Sequence, residues 1–257
     1  MSGIRWWLAD AVEMVRRNLL HIRRTPELLL DVTVQPIMFV LLFRYVFGGA
    51  ISTGTTSYVN YLIPGIFVQT ITFAAVSTGA LLATDLTKGM IDRFRSLPMS
   101  QSAIITGRTF TDLLRGMLAI GVMTAVGLLV GFRPEGGLWH MAAAYGLLLA
   151  FGFSLAWIGV AAGALVRTPE AVYSMVFLAI FPLTFASSAF VPPESMPAAI
   201  EWFAKINPIS TVVDATRALF VGAPAGSDVW GAVLWIAGLT VVFATLSVHR
   251  YRRAVSS

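Results

Sequence analysis

Long apolar runs alternate with short polar connections along this chain, and their lengths set the expected architecture. Apolar stretches at 28–47, 58–83, 110–132, 138–166, 171–191 and 229–248 are each long enough to cross a hydrocarbon layer of about 30 Å as a helix. Ahead of them, residues 1–26 place Trp6, Trp7, Leu8, Ala11, Val15, Leu19 and Ile22 on one helical stripe. Glu13, Arg16, Arg17, Arg23 and Arg24 oppose that stripe. The pattern predicts an interfacial helix lying in the headgroup plane, with tryptophan anchors and a basic face.

Two polar interruptions stand out. In 84–108, Leu86, Met90, Ile91, Phe94 and Leu97 recur at helical spacing, Lys88, Asp92, Arg93 and Arg95 fall mainly opposite them, and Pro98 ends the pattern. By spacing alone this is either an ordinary basic loop or a grip for a soluble partner. In 192–226, Pro192, Pro193 and Pro197 precede two amphipathic pieces, 198–206 and 210–221, the second holding Asp214 and Arg217 at i,i+3. Neither piece can span a bilayer. Each lies at the outer surface, or the two dip inward as a re-entrant pair shielded by protein.

Composition agrees with lipid as the solvent. Of 257 residues, 57% are hydrophobic and 12% charged, with a mean hydropathy of +0.78, well outside the range of a soluble domain. The net charge of +5 does not mark a nucleic-acid partner, because the basic residues cluster at the ends of apolar runs. With six spans both termini share a face, and fourteen of the eighteen lysines and arginines lie on it. That face is cytoplasmic by the positive-inside rule. The chain therefore reads as an all-α protein of the cell membrane with both termini and 84–108 inside and the 192–226 hairpin outside.

Absent motifs narrow the chemistry. There is no P-loop, no nucleophile elbow and no cysteine, so the chain cannot bind nucleotide by a P-loop and holds no disulfide or thiolate metal site. His21, His140 and His249 lie at span ends, which disfavours a metal or haem site, and no metal or cofactor is expected on this chain. Weakly polar residues do occur within the apolar runs. Gln35, Gln69, Thr70, Ser77, Thr184, Ser187 and Ser188, with Phe73 beside them, either bond to backbone and neighbouring helices or line a hydrated path. An intramembrane lipid or glycosyl transferase, or a membrane assembly protein with no energy source, remains the alternative to a transporter.

Two segments resemble a known family. RFRSLPMSQSAIITGR at 93–108 is similar to the cytoplasmic segment between the second and third spans of ABC-2-type exporter permeases. FVPPESMPAAIEWFAKINPISTVVDATRALFVG at 190–222 is similar to that family's external segment before the last span, with Asn207, Pro208, Asp214 and Arg217 matching its pattern. The nearest resemblance is to the daunorubicin-resistance permease group of actinobacteria. It implies a permease that pairs with a second permease subunit and binds separate cytoplasmic ATPase subunits, which carry the ATP and magnesium. It makes 84–108 a coupling helix, with Lys88, Asp92, Arg93, Phe94 and Arg95 as the expected ATPase contacts. It also implies an amphiphilic substrate moving along the first, second and fifth spans.

Overall fold

The computed structural model describes residues 27–49, 51, 57–87, 101–166, 168–224 and 226–256. The expected interfacial helix at 1–26 lies outside them, as does the central part of 84–108. All regular structure among the described residues is helical. Helix α1 (Glu27–Leu41) runs into a π-helical turn at Leu42–Phe47, followed by α2 (Tyr58–Thr87) and α3 (Gln101–Val130). Next come α4 (Gly137–Leu165) and α5 (Pro169–Phe185). Two short helices, α6 (Ala198–Ile206) and α7 (Pro208–Val221), precede the closing α8 (Ser227–Ser256).

Among the described residues three helices are long and apolar enough to cross a membrane, through Leu113–Val130, Gly137–Gly163 and Ser227–Ser247, and Val34–Phe47 and Pro169–Phe185 are shorter apolar helices. The start of α5 shows how local sequence sets a boundary. Thr168 adopts an extended conformation and its hydroxyl accepts from the Ala171 N–H, Pro169 fills the first helical position, and Glu170 follows in the first turn. Each choice suits a helix N-terminus: the cap satisfies an orphan donor, proline lacks one, and an acidic side chain meets the positive end of the dipole.

Helix α2 is the hub, packing against α4, α5, α7, α1 and α3. Leu62, Ile63, Ile66, Phe67 and Val68 are fully buried. Phe220 of α7 meets Phe67 at 5.8 Å, Phe132 edge-on at 5.3 Å and Tyr145 of α4 at 5.6 Å. In lipid, where apolar surface is already solvated, such association rests on close packing and interhelical hydrogen bonds. A Cβ at Gly79 would lie 2.5 Å from the Gly159 carbonyl oxygen, so α2 and α4 touch backbone to backbone there.

The fifth helix ends before the apolar run does. The apolar pattern carries a span to residue 191, but α5 ends at Phe185. A non-helical turn, 186–190, follows, with Ser187, Ser188, Ala189 and Phe190 all buried. Asn207 explains the stop. Its Nδ2 donates to the Leu183 carbonyl at 2.6 Å and the Ala186 carbonyl at 3.0 Å, while its Oδ1 accepts from the Ile209 N–H at 2.9 Å. One buried side chain thus closes the last turn of α5 and caps the first turn of α7, where Pro208 needs no donor partner. Asn207→Ala should lower stability by about 2–4 kcal/mol, since it orphans buried carbonyls and removes a cap. Asn207→Asp keeps the cap acceptor and should fall between; thermal unfolding of the detergent-solubilised protein reads both.

Candidate functional site: a polar knot and the helices it ties

Helix α2, helix α7 and the 186–190 turn meet at the Arg217 side chain. Arg217 projects from α7, and its Nη1 donates to Asp214 Oδ1 one turn earlier at 2.6 Å. Nε and Nη2 both donate to the Tyr61 carbonyl of α2, at 3.3 and 3.1 Å, and Nη2 also donates to the Ser188 carbonyl at 3.0 Å. The guanidinium carbon lies 3.7 Å from the Tyr61 ring centroid, a cation–π stack. The planar fork suits this task, because it engages two backbone carbonyls and a carboxylate at once while its face rests on a ring.

Ser188 is held through every polar group it has. Its N–H donates to Ser210 Oγ at 3.0 Å, its carbonyl also accepts from Tyr61 Oη at 2.9 Å, and its hydroxyl donates to Asp214 Oδ1 at 2.8 Å. The neighbouring Phe190 carbonyl accepts from Tyr58 Oη at 3.3 Å. Irregular backbone buried among apolar helices must find its partners within the protein, and these contacts supply them. Gly65 lets the turn sit this close: a Cβ there would be 2.0 Å from the Ala189 carbonyl oxygen. Burial holds the Asp214 carboxyl above its usual range, with the Arg217 charge and the Ser188 hydroxyl pulling the other way. Although the Asp214 side chain is 40% exposed, desolvation is the larger effect.

A second clamp fastens the α3–α4 loop to the same end of the bundle. The Arg133 N–H donates to Asn60 Oδ1 at 2.9 Å, and the Glu135 and Gly136 N–H groups donate to the Phe220 carbonyl at 2.8 and 2.9 Å. That loop therefore closes the C-terminus of α7, where Gly222 adopts the left-handed conformation with φ +80° that glycine accepts at little cost. The two short helices differ in environment. Ile209, Val212, Val213, Leu219 and Phe220 of α7 are buried, whereas Ile200, Trp202 and Ile206 of α6 are exposed. Of the two pieces only α7 is shielded by protein, so the alternative of a shielded pair does not hold for α6.

The polar residues singled out along the apolar runs separate into three groups. Ser188, Asp214 and Arg217 are brought together in the knot, while Asn207 separately ties the end of α5 to the start of α7, next to Pro208. Others are satisfied locally: Thr70 Oγ1 donates to the Ile66 carbonyl at 2.8 Å, and Ser187 Oγ to the Thr184 carbonyl at 2.5 Å. Gln35 is exposed on α1, Phe73 stacks near Phe177 at 5.9 Å, and Gln69 and Thr184 are buried with Nε2 and Oγ1 unpartnered. Ser77 belongs to α2, but its side chain is not among those described. Lys88, Asp92, Arg93, Phe94 and Arg95 lie outside the described residues. Tyr61, Ser210 and Asn60, which complete the knot and clamp, carry no distinguishing signal in the sequence because their partners are more than a hundred, twenty-two and seventy-three positions away. Among the described residues no group of histidine, cysteine and acidic side chains could hold a metal ion.

An all-helical bundle with apolar spans and a buried polar tie, and no catalytic constellation in the knot, describes a membrane component. Residues 11–221 match the ABC-2 type transporter family, and the chain belongs to it. Its relatives are permease proteins of ABC transporters, so it is a transport component and not itself an enzyme. The chain is 39% identical to the daunorubicin resistance ABC transporter permease protein DrrB1 of Streptomyces coeruleorubidus, over 92% of this chain and 83% of that protein. It is 26% identical to the probable doxorubicin resistance ABC transporter permease protein DrrC of Mycobacterium tuberculosis, over 98% and 92%. It is also 26% identical to the putative transport permease ycf38 of Pyropia yezoensis, over 80% and 72%.

Proposed function

We propose that this chain is the transmembrane permease subunit of an ATP-driven exporter that moves amphiphilic drugs or lipid-like compounds out of the cytoplasm or inner leaflet. The observation that carries this reading is family membership together with 39% identity, across nearly the whole chain, to a permease named for daunorubicin resistance. In this reading the six apolar runs are spans in the cell membrane, both termini are cytoplasmic, and 192–226 is an external hairpin. Helix α5, 17 residues long, rises about 26 Å at 1.5 Å per residue, and the 186–190 turn continues the run outward. ATP and magnesium bind a separate ATPase subunit, and a second permease copy or homologue completes the membrane unit.

The coupling step is mechanical. Closure of the ATPase on ATP pushes 84–108, and the push passes along the helices that flank it, α2 and α3, to the external end of the bundle. Ligand and nucleotide then shift one equilibrium between two packed states. Lys88, Asp92, Arg93, Phe94 and Arg95 are the proposed ATPase contacts. The Arg93→Ala, Arg95→Ala double variant should insert normally but recover several-fold less ATPase on affinity purification. Undiminished co-purification would remove the assignment, and failure of the co-expressed pair to export any amphiphile with ATP would remove the exporter reading.

A further inference from the structure

Helices α4 and α8 start at the same end of the bundle and run parallel. The α3–α4 loop donates to the Phe220 carbonyl, a Cβ on Gly222 would stand 2.8 Å from Gly136 Cα, and α8 begins soon afterwards at Ser227. Far along both helices, Ser247 Oγ donates to the Trp157 carbonyl at 3.1 Å. At 1.5 Å per residue that bond lies about 27 Å from Trp139 and about 26 Å from Trp230 along the two axes. The two indoles therefore share one level, and they are 84% and 65% exposed.

Helix α6 ends near the same level. It joins α7 through Asn207, and a Cβ on Gly231, the neighbour of Trp230, would stand 3.2 Å from Thr211 Cγ2 in the first turn of α7. Around α6, Ala204 is buried against the protein, whereas Trp202 (66% exposed) and Ile206 (50%) form an open apolar edge one turn apart. Elsewhere around the helix Lys205 Nζ pairs with Glu201 at 2.6 Å. Water would disfavour the apolar edge, and hydrocarbon would disfavour the ion pair. A layer that is apolar on one side and wet on the other suits both. Tryptophan belongs in such a layer, because its ring is apolar and its N–H donates.

We propose that Trp139, Trp202 and Trp230 form a collar that binds the headgroup–acyl boundary of one phospholipid leaflet, with α6 lying in that boundary. The proposal deepens the permease reading above, under which the leaflet is the outer one. The indole N–H groups donate to lipid ester and phosphate oxygens while the rings rest on the first methylenes. Because α6 leads straight into Asn207, which ties α5 to α7, the leaflet surface sets the level of that tie.

The chain has no cysteine, so single-cysteine variants need no altered background. Trp139→Cys, Trp202→Cys, Trp230→Cys, Lys205→Cys and Leu234→Cys are each spin-labelled on the full chain in phosphatidylcholine–phosphatidylglycerol nanodiscs. Collisions with oxygen and with a water-soluble nickel chelate give the depth of each label. The three tryptophan positions should share one depth at the boundary, with Leu234 about 6 Å deeper than Trp230. Nickel contact at Lys205 should be several-fold greater than at Trp202. Trp202→Phe checks the result without a label: it should remove part of the native tryptophan emission that shallow-brominated lipids quench more than deep-brominated ones. Nickel contact at Trp202 equal to that at Lys205 would put α6 in water, and loss of both collisions there would put it beneath another protein chain. Either result overturns the proposal, as do unequal depths at the three tryptophan positions. A membrane-impermeant maleimide on intact cells addresses the permease reading separately. Failure to reach Lys205→Cys from outside, with the depths upheld, would remove the outer placement and leave the collar.

Discussion

Replacing Arg217 with alanine will destabilise the polar knot more than any other single charge removal among the described residues. The variant loses the pair with Asp214, donation to the Tyr61 and Ser188 carbonyls, and the stack on the Tyr61 ring. Breaking a buried ion pair from one side costs about 3–5 kcal/mol. The lower part of that range applies here because the Asp214 side chain is 40% exposed. The stranded carboxyl makes the test sharper. Burial already raises the Asp214 pKa against the pull of Arg217, so removing the guanidinium raises it further. A folded-state pKa above the unfolded value contributes stability below the unfolded pKa and loses it as pH rises through the folded pKa. The Arg217→Ala variant should therefore lose more stability than wild type on going from acid to neutral pH. Adding Asp214→Asn to Arg217→Ala should recover part of the loss, because an amide can still accept from Ser188 Oγ without an unpaired charge. A double variant no better than the single one would show that the guanidinium acts through the Tyr61 and Ser188 carbonyls and not through the ion pair.

Gly65→Ala is expected to be as damaging, through sterics alone. The new methyl would approach the Ala189 carbonyl oxygen to 2.0 Å and its carbonyl carbon to 2.7 Å, and no rotamer change can move backbone aside. The 186–190 turn must lift from α2, which stretches the Ser188 bonds to Tyr61, Ser210 and Asp214. Overpacking in a well-packed interior costs about 1–3 kcal/mol, and a backbone clash of this depth belongs at or above the top of that range. Gly121→Ala is the control: nothing lies within 4 Å of the place its methyl would take on α3, so it should be neutral or gain a few tenths of a kcal/mol from about 1 kcal/mol of helix propensity. Equal thermal shifts for the two variants would refute the contact at Ala189.

Much of the helical architecture was legible because lipid imposes a strict length and hydrophobicity on each span. Apolar runs found the cores of α1 to α5 and α8, and proline and short amphipathic periodicity found α6 and α7. The Asp214–Arg217 pair was visible as an i,i+3 spacing. The stop of α5 was not. Ala186 through Val191 carries no charge, glycine or proline to mark a stop, only the weakly polar Ser187 and Ser188, and the side chain that ends the helix, Asn207, is supplied from about twenty residues downstream.

The sequence by itself determined a helical membrane protein of the ABC-2 type, since hydrophobic run length and the segments at 93–108 and 190–222 are local properties of the chain. The tertiary structure alone decided which polar residues matter together. Tyr61 and Arg217 are 156 positions apart, and Gly65 and Ala189 are similarly remote in sequence. Their association follows from how α2, α7 and the 186–190 turn pack, because the carbonyls of that turn and a largely buried guanidinium must find their partners within the protein.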